Sequence, residues 1–216
     1  MTDITTQIVI ALTILVVIWY IAGSWMNRRR ASYLLGWIKK GVQELGGEAT
    51  WRAMGTSGFQ VSVRGAKHPF KRIEMVILLE PREVLLFWLF NRLRGHRDMM
   101  VLKADLRTIP RAEVEVMPKR AGITKKFLKA IEGKAWAREG IGDTNLMVLR
   151  KGKGVTELAE KLAHLLRGYA PHVLRFSLRK RSPHLLIHLS LPGLESAEAK
   201  ALFGMCKEMV GACQGA

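Results

Sequence analysis

Acidic residues are scarce in this chain, 18 against 35 lysines and arginines, and they are scattered. No two carboxylates fall at a convincing spacing for paired acid–base chemistry. Cysteine is nearly missing. Cys206 and Cys213 are seven apart on one expected helix, hence on one face, and read as two buried thiols in a reducing compartment rather than a disulfide. No phosphate-binding loop is present: Lys151-Gly152-Lys153-Gly154-Val155-Thr156 lacks the Gly-x4-Gly-Lys-Ser/Thr order and reads as a turn before a helix. Gly55-Thr56-Ser57-Gly58 lacks the Gly-x-Ser-x-Gly of a nucleophile elbow. His184 and His188 sit in an extended stretch, where side chains four apart are separated by roughly 13 Å, too far to share a metal ion. These absences leave no catalytic residue, no metal ligand and no cofactor to nominate, and the expectation is a protein that is not an enzyme.

What the chain does have is one long run without charge. Residues 8–26 (IVIALTILVVIWYIAGSWM) contain no ionisable acid or base of the Asp, Glu, Lys or Arg type. Nineteen residues at about 1.5 Å each match the roughly 30 Å hydrocarbon thickness of a bilayer. Its β-branched residues would weaken a helix in water but not in lipid, where the backbone must satisfy itself. Trp19, Tyr20 and Trp25 gather toward the C-terminal end, the headgroup level. A cleaved signal peptide fits poorly, because Asp3 is the one charge before the run and Trp25-Met26-Asn27 stands where small residues belong. The cations Arg28, Arg29, Arg30, Lys39 and Lys40 follow the run, so the positive-inside rule puts the C-terminal side in the cytoplasm and the first residues outside. The membrane would be the plasma membrane of a prokaryote or the endoplasmic reticulum of a eukaryote.

The formal net charge is +17, nearly all of it beyond the apolar run. A domain this basic attracts polyanions, whether rRNA, other nucleic acid or anionic headgroups; the blander reading is a solvated surface. Candidate contacts to rRNA phosphate or lipid headgroups are Lys119, Arg120, Lys125 and Lys126, joined by Lys129, then Lys151 and Lys153, and the turn Arg179, Lys180 and Arg181. Such side chains reach phosphates without reading bases. No strand carries the paired aromatics of an RNA-recognition sheet.

Hydrophobic residues make up 49% of the chain, enough for a real core. Residues 31–45 place Leu34, Leu35, Ile38, Val42 and Leu45 at helical spacing, so the anchor helix continues or bends into an amphipathic one that Gly46-Gly47 ends. Beyond it, strands are expected at 48–53, 59–64, 72–80, 99–106, 112–117, 134–138, 145–150, 172–179 and 184–191, with helices at 83–94, 123–132, 155–168 and 196–211. Repeated strand-strand-helix units with short connections indicate an α+β fold, a mainly antiparallel sheet with packed helices behind a single transmembrane helix. The expected organisation is an anchor at 1–27, a basic juxtamembrane helix at 28–47 and a cytoplasmic α+β domain at 48–216, with a split near 140–143 as the alternative. Within the domain the stretch Val84, Leu85, Leu86, Phe87, Trp88, Leu89 and Phe90 is unusual, apolar on every face of a helix and too short to span. It is either a buried core helix or an element at the membrane interface; the anchor in the same chain favours the interface, with Leu85 to Phe90 as its contact residues.

The order of these features resembles the calumin family. The resemblance is carried by the anchor and Asn27-Arg28-Arg29-Arg30 helix, the Pro81-Arg82-Glu83-Val84-Leu85-Leu86 helix start with its Arg92-Leu93-Arg94 end, and a C-terminal unit. That unit comprises Leu162-Ala163-His164-Leu165-Leu166, Gly168-Tyr169-Ala170, two strands, Pro192-Gly193 and a closing helix. Calumin-family members are endoplasmic-reticulum membrane proteins with coiled-coil tails that work beside the Sec translocon and the ribosome. The resemblance implies a non-enzymatic accessory factor for membrane-protein insertion or folding, with Sec subunits and the ribosome as partners. The family's acidic lumenal segment has no counterpart here, so calcium is not carried over, and the coiled-coil tail is also lacking; a compact, prokaryotic or archaeal relative is expected. The alternatives are a tethered basic domain that binds anionic lipid or RNA, and a tethered enzyme whose active site the sequence hides.

Overall fold

The computed structural model describes residues 3–132 and 135–215. It opens with one uninterrupted helix, α1, Ile4–Leu45, about 63 Å long by its 42 residues. The first half of α1 exposes its apolar side chains: Ile8, Leu12, Leu15 and Ile18 are all more than half exposed. That is the surface of a helix with no protein around it, and it is long and apolar enough to cross a membrane. The second half differs. Leu34, Trp37, Ile38, Gly41, Val42 and Leu45 are buried at the three-and-four spacing of one helix face. Gly46 and Gly47 end the helix with positive φ angles of 63° and 81°, a backbone region that other residues enter only with strain.

A single nine-stranded antiparallel sheet follows. Its strands are β1 (Glu48–Ala53), β2 (Gly58–Arg64), β3 (Phe70–Leu78), β4 (Met99–Leu106), β5 (Val114–Pro118), β6 (Trp136–Gly140), β7 (Leu146–Lys151), β8 (Val173–Leu178) and β9 (Leu185–Ser190). The helices are α2 (Leu85–Leu93), α3 (Gly122–Ile131), α4 (Val155–Leu165) and α5 (Ala199–Gly215). After β1 the chain therefore repeats strand-strand-helix four times, which makes the α+β reading the structure of the protein. The strand expected to begin at Lys134 starts within the described residues at Trp136; Lys134 itself lies outside them. Residues 140–143 fall in the β6–β7 connection.

Spatial order in the sheet is β1-β2-β3-β4-β9-β8-β5-β7-β6. Short connections make hairpins of β1–β2, β2–β3, β6–β7 and β8–β9, but β4 and β5 are parted. The C-terminal hairpin β8–β9 inserts between them, pairing β9 with β4 and β8 with β5. Alternation along the strands decides which face is covered. Val61, Val63, Ile73, Met75, Ile77, Met100, Leu102, Phe176, Ile187 and Leu189 point to one side and are buried. The C-terminal half of α1, α4 and α5 stack there, and Gly41 of α1 brings the helix so close to Phe203 of α5 that a Cβ would collide with its ring. Cys206 and Cys213 both lie in this layer, buried and unpaired with each other. The opposite face of β2, β3 and β4 shows half-buried Gln60, Ser62, Glu74, Val76, Val101 and Lys103. The helix α3 is fastened beyond β5 by Thr124, whose hydroxyl donates to the Pro118 carbonyl at 2.7 Å, and by an edge-on contact of Phe127 with Trp136.

Candidate functional site at the junction of span and sheet

The helix α2 is not part of the core. None of its residues is buried. Leu86 and Leu93 are 79% exposed, and Val84, Phe87, Leu89 and Phe90 are each about half exposed. Helical spacing sorts the residues: Leu85, Trp88 and Arg92 fall on one side, while Leu86, Leu89, Phe90 and Leu93 point away from the protein. A nine-residue helix cannot hide an all-round apolar sequence unless other elements cover it, and among the described residues no layer lies over its outer side. The buried-core alternative for this stretch is thereby corrected; covering it from water requires something other than this chain's own core.

On its inner side α2 meets the charge-free part of α1. The rings of Trp19 and Trp88 lie 5.7 Å apart, and the Trp19 indole N–H donates to the Arg82 carbonyl at 2.9 Å. Gly23 permits this approach, since a Cβ there would run into the Arg82 carbonyl. The next contact down the helix is Asn27. From Trp19 to Asn27 is eight residues, about 12 Å of helix, so the start of α2 is braced against about the last two turns of the apolar run.

Asn27 is fully buried and begins a polar network. Its amide nitrogen donates to the Glu80 carbonyl at 3.0 Å and to Glu83 at 2.8 Å, and its amide oxygen accepts from Arg82 at 2.9 Å. Arg82 also forks onto Asp98, both bonds at 3.0 Å. Asp98 takes a third bond from the Glu80 backbone N–H and a fourth from Arg30, which itself reaches Glu195 at 2.6 Å. Glu83 accepts from Thr56 and Ser57 in the β1–β2 turn, and Glu80 from the Trp88 indole. Ten side chains from five separate stretches of the chain thus latch α1 to the sheet and to α2. Buried charges are tolerated only when paired and hydrogen-bonded in this manner. Burial pushes the Glu83 carboxyl up, but its own backbone N–H, Ser57, Thr56 and Asn27 outweigh that and hold it below the ordinary glutamate range. Burial likewise lowers Arg30, and Glu195 with Asp98 overcomes it, leaving the guanidinium raised.

None of these latch residues stands out in the sequence as a site. Asn27 follows the apolar run directly and Arg82-Glu83 precede α2, but the hydrogen-bond partners of their side chains lie 16 to 56 residues away. The expected phosphate contacts are not gathered into one patch. Register puts Leu78, Met99 and Ser190 at one end of the sheet, the end from which α2 departs, and Lys119 and Arg120 follow β5 at that same end. Lys119 is tied to the Thr144 carbonyl at 2.8 Å, and Lys125 and Lys126 are exposed on α3. Arg179, Lys180 and Arg181 turn between β8 and β9 at the opposite end, about 20 Å away along the six residues of β8. Of these three, Arg179 is committed inward, to Ser177 at 2.7 Å and to the buried Glu115 at 3.4 Å; Lys180 and Arg181 are exposed. His184 accepts the Leu106 backbone N–H at 3.1 Å. Among the described residues no group of three or more His, Cys, Asp or Glu side chains could hold a metal ion. An open groove of about 700 Å³ lies between α1 and the start of α5, lined by Tyr33, Trp37, Lys40, Glu195 and Lys200.

No protein-family model matches the chain, and no curated protein matches it.

Proposed function

We propose that this chain is a membrane-anchored, non-enzymatic accessory factor that assists insertion or folding of membrane proteins beside the translocon and ribosome. The observation that carries the reading is α2, an apolar helix with an uncovered outer face, braced at its start against the last turns of the apolar run. Held there, α2 lies within the inner leaflet at the boundary between headgroups and acyl chains, with Leu85, Leu86, Phe87, Trp88, Leu89 and Phe90 as its interface residues. It offers an apolar surface in one leaflet, next to a single span, where a client's transmembrane segment can rest before it finds its final neighbours. The latch supports this use, because an element that meets clients must hold a fixed depth and angle.

The charge distribution supports the same arrangement. Arg28 and Arg29 favour a cytoplasmic sheet domain, and Lys180 with Arg181 then faces away from the bilayer, toward the position of rRNA. The order of elements that resembles the calumin family fits this assignment to the translocon. A photoreactive residue at Leu86 of the full chain, presented with stalled ribosomes bearing a transmembrane segment, tests it. Crosslinks to the segment are expected, together with ribosome cosedimentation that weakens when Arg179, Lys180 and Arg181 become glutamate. Absence of both the crosslink and the cosedimentation at low salt overturns the proposal.

A further inference from the structure

We propose that the rim of the junction binds the phosphates of anionic phospholipids through Arg28, Arg29, Arg92, Arg94 and Arg97. The inference rests on the reading that α2 lies at the membrane surface, and it names the lipid that surface takes.

The arginines of the junction divide into two sets. Arg30 and Arg82 turn inward and consume the carboxylates of the latch. The other five are exposed. Arg92 shares Glu80 at 3.6 Å, while Arg28, Arg29, Arg94 and Arg97 have no carboxylate within 4.0 Å among the described residues. The acids that could have neutralised them are buried: Glu80 is 5% and Asp98 2% exposed. The rim therefore keeps a positive charge that the interior does not offset.

Their mounting also points outward. The Arg94 guanidinium lies 3.8 Å from the Phe90 ring centre, Arg92 5.6 Å from Trp88, and Arg29 5.6 Å from Trp25. A guanidinium stacked on an aromatic ring at an apolar boundary keeps its N–H fork free for a planar or tetrahedral oxyanion. Arg97 donates to the Arg92 and His96 carbonyls, which holds it beside Arg92. Level is set by Glu80, whose carboxylate meets Arg92 and whose carbonyl meets Asn27. Arg92 and Arg97 therefore stand at the height where the charge-free run ends, the height of Arg28 and Arg29. Phosphate oxygens of a bilayer occupy that height, and the exposed apolar faces of α1 and α2 continue directly from it into the acyl region. Charge and continuity together select an anionic leaflet as the occupant.

The test uses the full chain in vesicles of phosphatidylcholine with 30% phosphatidylglycerol, about the anionic fraction that gives a sizeable surface potential. Spin-labelled phosphatidylglycerol and phosphatidylcholine report the motionally restricted lipid at the protein. One arginine–headgroup contact corresponds to about a fivefold preference, so restricted phosphatidylglycerol should exceed phosphatidylcholine by at least that ratio at low salt. Changing Arg92, Arg94 and Arg97 to glutamine, at exposed positions that leave the fold intact by circular dichroism, should lower the ratio markedly, toward the preference that Arg28 and Arg29 hold on their own. Equal restriction of the two lipids, or a preference the substitutions leave unchanged, overturns the inference. A nitroxide on Leu86→Cys in the same vesicles separates the two claims. A lipid-exposed label without headgroup preference defeats the arginine rim alone; a water-exposed label defeats the placement of α2 as well.

Discussion

Replacing Asn27 by alanine should destabilise the junction by about 3 kcal/mol. The side chain is wholly buried and makes three hydrogen bonds of 2.8 to 3.0 Å, two of them to charged groups. A bond to a charged partner contributes roughly 1.5–3 kcal/mol and a neutral one roughly 0.5–1.5, so complete loss would cost about 3.5 to 7.5 kcal/mol. Glu83 retains Thr56 and Ser57, Arg82 retains Asp98, and neither is fully buried. Water recovers part of the loss, which brings the figure to about 3 kcal/mol, just below that range. The thiols of Cys206 and Cys213 provide the readout. Both are buried at 1% exposure, and burial pushes each up to about 12, so neither reacts until the domain opens. Pulse alkylation across a urea series in nanodiscs should show a midpoint about 1.5 M lower for Asn27→Ala, taking about 2 kcal/mol/M for the slope. Met26→Ala, an exposed neighbour, should leave the midpoint in place. A shift for Asn27→Ala below about 0.3 M, or one matched by Met26→Ala, would refute the view that this network fastens α1 to the sheet.

Gly23→Leu should force the Arg82 carbonyl away from α1 and separate Trp19 from Trp88, seen as reduced quenching of tryptophan by lipids brominated near the level of Trp88. Because Glu83 is held below its ordinary range, its contribution is present at neutral pH and above. It is lost as acid titration passes the ordinary glutamate range and then Glu83's lower folded value. The stability gap between wild type and Glu83→Gln should therefore shrink on acidification, and a gap constant from neutral pH into acid would show that the carboxylate contributes nothing as an ion. Leu86→Ser and Leu93→Ser, at positions 79% exposed within the protein, should weaken the seating of α2 in lipid, read as reduced quenching of Trp88 by brominated lipids. Unchanged quenching would mean that lipid does not cover the outer side of α2.

Much of this architecture is legible in the sequence because it rests on local periodicity. The charge-free run, the amphipathic turns from Leu34 to Leu45, the Gly46-Gly47 stop and the alternating strands all follow from neighbours within a few residues. The fate of α2 does not. Leu85 to Phe90 is apolar around the whole helix, so its pattern cannot distinguish burial from an interface; what decides is that no other layer lies over it. The separation of β4 from β5 depends on a hairpin some 70 residues further along, which no short connection can signal. The latch is the least legible part. Glu80, Glu83, Asp98 and Glu195 look like scattered surface acids in a basic chain, and only the folded sheet brings them to Asn27, Arg30 and Arg82. The basic clusters mislead in the opposite sense: Lys119 and Arg181 resemble one patch in composition, and the strand register puts them at opposite ends.

The placement of α2 in the inner leaflet is tested most directly by a nitroxide on Leu86→Cys in the full chain reconstituted in vesicles. Apolar oxygen should relax the label far more than a water-soluble nickel complex does, as expected for a side chain several ångströms below the phosphates. A label relaxed chiefly by the nickel complex, as at an exposed site such as Lys180→Cys, would put α2 in water and contradict the account.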